Sequence, residues 1–467
     1  MRAITTRAIT TAAIATACAG AVALTPQLLE PTRASGTVAG PAFRSAAGHP
    51  SRRPAAHGVP GRTHTLPLTR LPSTRAVGRR DVAGVPARTV APFSLLGLTW
   101  NDPAARLAGT VEVRTRSASG HRWSPWRPVQ VNDDDAPDER SPDRATGHLR
   151  GATAPLWTGP ADGVQVRALS AALPAGLRLD MIDPGPDAAD EDEADDVLPA
   201  DADDPADGDD WSDEEWSDDD TYVTDDEAAA EAEAEEDAEA ESRAGEADPG
   251  GRPAHGHKPR RQRPRGHRAP RPAITTRRGW GADERLRKGG YLYTSGIRAV
   301  FVHHSDTGNG YRCSQVPSII RGIYRYHVRS LGWRDIGYNF LIDKCGRIYE
   351  GRAGGITKAV MGAHTLGFNA HTMGVALLGD YQRTRPPTAA LRALERLAAW
   401  KLGLTGRDPR GTAALTSSGN GRYRRGAHPR FHAISGHRDG YPTECPGSRL
   451  YALLPQIRQA AARLQHR

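Results

Sequence analysis

At 467 residues the chain has room for two or three domains of roughly 100–200 residues each, yet only 38% of it is hydrophobic, against 50 glycines and 36 prolines. That composition excludes one continuous core and requires long linking stretches. The net charge of +7 averages an acidic block and a basic block, so it describes neither folded part.

Residues 1–24 read as an export signal. Arg2 and Arg7 precede an apolar, Ala-rich run from Ala8 to Leu24, and Ala21 and Ala23 offer small residues for cleavage. The run is too short and too weakly apolar to span a membrane well. No second candidate follows, so the expectation is a secreted protein with no membrane span once mature. Removing the signal removes Cys18 and leaves Cys313, Cys345 and Cys445. An odd count in an exported chain implies one disulfide and one thiol with another task.

Residues 25–91 are rich in Pro, Arg, Gly and Ala without periodicity and are predicted to be disordered. From 92 to 184 short alternating runs appear, among them FSLLGLTW (Phe93–Trp100), TVEVRTR (Thr110–Arg116) and LRLDMI (Leu177–Ile182). Period-2 alternation between turn residues predicts a small all-β domain. Trp100, Trp123, Trp126 and Trp157 in it form either its core or a sugar-stacking surface. Residues 185–249 make an acidic linker, about half Asp and Glu between Asp187 and Asp248, and residues 250–272 a basic Pro/Arg-rich one.

From 273 to 467 the pattern is globular again. IRAVFVHH (Ile297–His304), IGYNFLID (Ile336–Asp343), GRIYEGR (Gly346–Arg352) and MGVALLGDY (Met373–Tyr381) read as strands. Ser314–Leu331, Thr388–Leu404 and Leu450–Leu464 carry apolar residues at helical spacing. Strands interleaved with helices predict an α/β domain with a mixed central sheet flanked by helices.

His303 closes an apolar strand, and His437 and Cys445 bracket the loop HRDGYPTEC. Two imidazoles and a thiolate suit zinc and leave a fourth position open. The spacing matches no structural-zinc pattern, and three unrelated polar residues remain the alternative on spacing alone.

The segment from about Thr275 to Leu464 resembles the peptidoglycan recognition protein family, which includes the phage lysozyme-type N-acetylmuramoyl-L-alanine amidases (amidase type 2). The resemblance lies in RRGWGAD (Arg277–Asp283), VFVHHSDT (Val300–Thr307), YRYHVRSLGWRDIGYNFLID (Tyr324–Asp343), GRIYEGR, GAHTLGFN (Gly362–Asn369), MGVALLGDY and SGHRDGYPTECPG (Ser435–Gly447), in the family's order. It implies one Zn2+ per chain on His303, His437 and Cys445, with Tyr338 and Thr443 as catalytic positions. It also implies contacts to muramyl peptide from His327, Arg352, His364 and Asn369. His304 points to the opposite face of its strand and is taken as structural. A core role for Tyr338, and a hydroxyl bonding its own loop for Thr443, stand beside those roles. With Cys445 reserved for metal, Cys313 pairs with Cys345.

The implied activity is zinc-dependent hydrolysis of the amide between N-acetylmuramic acid and L-alanine in peptidoglycan, outside the cell or on its wall. Family members that lack the Cys ligand bind peptidoglycan without cutting it, so a binding-only receptor is the alternative. A third reading makes the β domain a carbohydrate- or protein-binding module with the amidase as cargo. Expected partners are peptidoglycan and muropeptides, with anionic wall polymers for the basic half, and no nucleic acid.

Overall fold

The computed structural model describes residues 58–71, 81–131, 135–144, 149–170, 172–186, 197–198 and 267–467. All of them fall in one compact unit, Ala56–Arg467. The expected export signal and nearly all of the two-signed linker lie outside the described residues.

The N-terminal part is all-β. Its main strands are β1 (Arg62–Pro67), β2 (Asp81–Trp100), β3 (Gly109–Ser117), β4 (Arg127–Val129), β5 (Leu156–Ser170) and β6 (Arg178–Asp183), hydrogen-bonded in the order β1-β6-β2-β5-β3-β4, and two short pieces, Thr69–Arg70 and Gly151–Ala152, also pair with β2. The domain starts earlier than the sequence predicts, because β1 and the first half of β2 lie within 25–91. Two physical reasons hid them. β1 is an edge strand whose half-buried positions are Thr63, His64 and Leu66, so it lacks an apolar period. Pro86 and Pro92 sit where the β2–β5 register shifts, at irregularities that tolerate a missing N–H. Trp100 and Trp157 are core, whereas Trp123 and Trp126 are half-buried and stack against Arg114 and Arg167.

The C-terminal part is built on a seven-stranded mixed sheet. Its strands, as they occur along the chain, are β7 (Val197–Leu198), β8 (Ile274–Thr275), β9 (Ala299–His304), β10 (Phe340–Ile342), β11 (Ile348–Glu350), β12 (Thr372–Leu377) and β15 (Ile434–Gly436). They lie in the order β15-β9-β12-β10-β11-β8-β7. A separate ribbon pairs β13 (Thr412–Ala414) with β14 (Arg430–His432). β9 runs parallel to both β12 and β15. All six residues of β9 are buried, as its apolar run requires for a strand covered on both faces. The acidic linker is not wholly irregular, since β7 falls within it and pairs with β8.

One face of the sheet is covered by α2 (Thr388–Gly403) and α3 (Leu454–Leu464), whose Leu394, Leu397 and Ile457 join Val302 and Val375 in one cluster. α1 (Val316–Arg325) continues into a π-helical turn, Tyr326–Ser330, and packs in another cluster with Leu341 and Ala376. Cys313 and Cys345 form the expected disulfide beside this helix. Among the described residues no helix is long and apolar enough to cross a membrane.

The cluster around α1 does not stop at the domain boundary. Leu95, Trp157 and Ile182 of the β domain are buried with Ile319, Ile323 and Tyr326. The Tyr326 hydroxyl donates to the carbonyls of Leu98 (3.2 Å) and Thr153 (2.9 Å). Arg321 donates to the carbonyls of Pro184 (3.0 Å) and Pro186 (2.9 Å). Close approach is possible because Gly97 has no side chain: a Cβ there would stand 2.4 Å from the Tyr326 hydroxyl. Gly97→Ala should therefore wedge the two domains and cost about 1–3 kcal/mol, read as a lower midpoint of thermal unfolding. An unchanged midpoint would show that the interface gives way without cost.

Candidate metal centre and groove

β9 ends on His303 and His304, and β15 is followed directly by His437. Because Val302 pairs with Gly436 across these parallel strands, the two histidines emerge side by side at their C-terminal ends. The imidazole rings of His303 and His437 stand 4.5 Å apart. The turn that follows His437 folds back through the Arg438 N–H, which donates to the Cys445 carbonyl (3.0 Å). This brings Cys445 Sγ to 3.7 Å from His303 Nδ1. The pleat sends His304 elsewhere, where its Nδ1 accepts from the Tyr381 N–H at 3.2 Å.

The ligand atoms of His303, His437 and Cys445 all lie within 4.8 Å of one another. Ligands at 2.0–2.3 Å from a shared tetrahedral zinc stand roughly 3.3–3.8 Å apart, and the 3.7 Å between Cys445 Sγ and His303 Nδ1 falls in that range. Burial lowers the His303 pKa to about 3 and holds His437 well below its ordinary value. Both rings are therefore neutral, the form that coordinates a metal. His437 is 1% exposed, and neither of its ring nitrogens makes a hydrogen bond among the described residues, although the Asp135 carboxylate lies 3.4 Å from Nδ1. Buried polar atoms are normally paired, so a buried imidazole without a hydrogen bond fits a metal ligand. His303 is oriented from behind, where its Nε2 meets the Thr365 hydroxyl at 3.4 Å and leaves Nδ1 facing Cys445.

Tyr338, Thr443, His437 and Cys445 line one cleft together with Asp135. The Tyr338 ring stands 5.5 Å from that of His303. Thr443 Oγ1 accepts from the Cys445 N–H at 3.2 Å, so the hydroxyl both braces its own loop and borders the cleft. His364 is fully buried behind His303, between Gly362 and Gly374, where any Cβ would meet its ring within 2.3 Å. Its Nδ1 meets the Thr365 hydroxyl at 3.0 Å. His327, on the π-turn, is also buried, with its ring 4.4 Å from Trp333 and 5.8 Å from Tyr338. Asn369 Oδ1 accepts from the backbone N–H groups of His364 (2.6 Å) and Thr365 (3.0 Å).

Sequence reasoning missed a group that reaches this site from the other domain. Asp135 Oδ1 lies 3.1 Å from His303 Nδ1 and 3.4 Å from His437 Nδ1, and its Oδ2 accepts from the Tyr338 hydroxyl. Asp138 Oδ1 accepts from Asn369 Nδ2 (2.8 Å) and the Gly367 N–H (2.7 Å). Asp143 Oδ1 accepts from Arg352 Nη2 at 2.7 Å. The available signal was the acidic run NDDDAPDERSPD (Asn132–Asp143) in an arginine-rich half. Thr365 was missed as well, although it lies within a quoted motif.

Two families match this chain. Residues 53–200 match the family described as Rv3811 N-terminal galactose-binding domain-like, and residues 293–448 match N-acetylmuramoyl-L-alanine amidase. Peptidoglycan-recognition protein SA of Drosophila melanogaster is 37% identical over 128 residues, 27% of this chain and 60% of that protein. The human N-acetylmuramoyl-L-alanine amidase is 34% identical over 188 residues, 39% of this chain and 28% of that protein. Both relatives are thus spanned over less than two thirds of their length. Peptidoglycan recognition protein 1 of Bos indicus is 33% identical over 193 residues, 39% of this chain and 83% of that protein. Among solved structures, Drosophila PGRP-LB matches with a TM-score of 0.31 and 30% identity, over 38% of this chain and 90% of that one.

Replacing Cys445 by Ser removes the one soft donor. Zinc affinity should fall by more than the roughly 10–100-fold that loss of an outer-shell partner costs. Metal analysis after dialysis against a graded chelator reads this directly, and wild-type retention of zinc in the variant would reject Cys445 as a ligand.

Proposed function

The chain belongs to the peptidoglycan recognition protein and N-acetylmuramoyl-L-alanine amidase family, and from that premise we propose that it is an exported zinc-dependent amidase. Its substrate is the amide between N-acetylmuramic acid and the L-alanine of the peptide stem. The observation that carries enzyme over receptor is the complete donor set of His303, His437 and Cys445 with Tyr338 at the same cleft.

An amide is a weak electrophile with a poor leaving group. Zn2+ held by the three donors would supply Lewis acidity to a water and to the scissile carbonyl. The remaining work falls to the chain. Tyr338 places its O–H where it donates to a carboxylate oxygen in the cleft, the geometry needed to donate to the oxyanion that develops on the substrate. Thr443 accepts from the Cys445 N–H and so keeps its own O–H for the cleft. Thr365 and His364 hold the His303 ring in one orientation. Arg352 and Asn369, which donate to the carboxylates of Asp143 and Asp138, carry a guanidinium and an amide suited to the carboxylates and carbonyls of a stem peptide. Burial of His327 and Tyr338 beside the metal position limits water there.

Incubating the zinc-loaded chain with purified muropeptides should release intact stem peptides with a free L-alanine amino terminus, identified by mass spectrometry. Tyr338→Phe should slow this release by on the order of 10²-fold with unchanged zinc content. Binding of muropeptides without release would make the protein a receptor, and a full rate in the Phe variant would return Tyr338 to a packing role.

A further inference from the structure

The groove of the C-terminal domain is already filled, by the β domain. Three of the carboxylates on residues 135–144 each meet a different part of the site. Asp135 is at the two imidazoles and Tyr338, Asp138 at Asn369 and the Gly367 N–H, and Asp143 at Arg352. Glu139, Arg140 and Pro142 between them are exposed, so the segment is a surface hook with three inward teeth.

We propose that Asp135–Asp143 is an intramolecular occupant of the peptidoglycan groove, which keeps the chain latent until the segment is displaced. The proposal rests on the amidase reading of that groove. Asp135, Asp138 and Asp143 are 7%, 4% and 0% exposed. Carboxylates are buried so deeply only where partners offset the lost hydration, and here the partners are groove residues. Asp135 Oδ1 stands at 3.1 and 3.4 Å from two donor nitrogens, spacings close to the edges of a zinc tetrahedron. It therefore fills the position that hydrolysis needs open. The segment is also presented at little entropic cost, because Leu95, Trp157 and the Tyr326 hydroxyl fix the β domain against α1. A stem peptide, itself rich in carboxylates, must compete with a tethered mimic.

The test compares the full chain with the variant Asp135→Ala/Asp138→Ala/Asp143→Ala, both loaded with cobalt(II) in place of zinc. Azide, a small anionic ligand, should shift the visible absorption bands of the variant at concentrations that leave the wild type unchanged. Muropeptide affinity and stem-peptide release by the zinc forms should rise about tenfold in the variant, the gain expected if the segment is docked in about 90% of molecules. A second form guards against misfolding: a site for a sequence-specific protease, inserted between the exposed Glu139 and Arg140, is cut after purification and should give the same gains. Equal azide response and equal turnover in all forms would overturn the segment as an occupant and leave the amidase reading standing. A slower triple variant whose cut counterpart is also slower would overturn it too, by making the segment part of the machinery. A variant that admits azide yet never releases stem peptides would keep the occupant and refute the amidase.

Discussion

The site is arranged around two imidazoles that the fold has taken out of water. His303 and His437 sit at the C-terminal ends of adjacent parallel strands, and burial holds both rings neutral. Neutral rings leave nitrogen lone pairs free to coordinate, within 4.8 Å of one another and of Cys445 Sγ. The neighbouring residues follow from that constraint. Thr365 and His364 fix the His303 ring from behind, and the glycines at 362 and 374 make room for His364 to do so. The strand that carries His303 is held firmly, because all six of its residues are buried between β12 and β15.

The second constraint comes from the apolar contact between the domains. Leu95, Trp157 and Ile182 share a cluster with α1, and Gly97 lets Tyr326 approach closely enough to bond two β-domain carbonyls. Such an interface sets the β domain at a fixed place relative to the groove. The polar contacts of Asp135, Asp138 and Asp143 depend on that placement, since buried carboxylates need partners already in position. The β domain therefore meets the site through its packing, while its half-buried Trp123 and Trp126 stack with Arg114 and Arg167.

Much of the C-terminal fold was legible from sequence because its strands are short apolar runs ending in motif residues, as in AVFVHH, and its helices keep a 3.6-residue period. The chain-internal signals failed where apolar periodicity is absent. β1 is an edge strand of RTHTLP, and the prolines of β2 sit at register shifts, so both read as disorder. The π-turn that carries Tyr326 and His327 is indistinguishable in pattern from a last helical turn. The acidic hook could not be placed at all, since its partners lie 203, 231 and 209 residues further along the chain. A run of aspartates in a loop looks solvated until the groove it enters is known.

The proposed activity requires a zinc held by His303, His437 and Cys445 with a single oxygen donor in the fourth position. X-ray absorption spectroscopy of the zinc-loaded full chain tests it most directly. The expected result is four-coordinate zinc with one sulfur at about 2.3 Å and three nitrogen or oxygen neighbours at about 2.0–2.2 Å. A shell without sulfur, or one of six oxygen and nitrogen atoms, would contradict it.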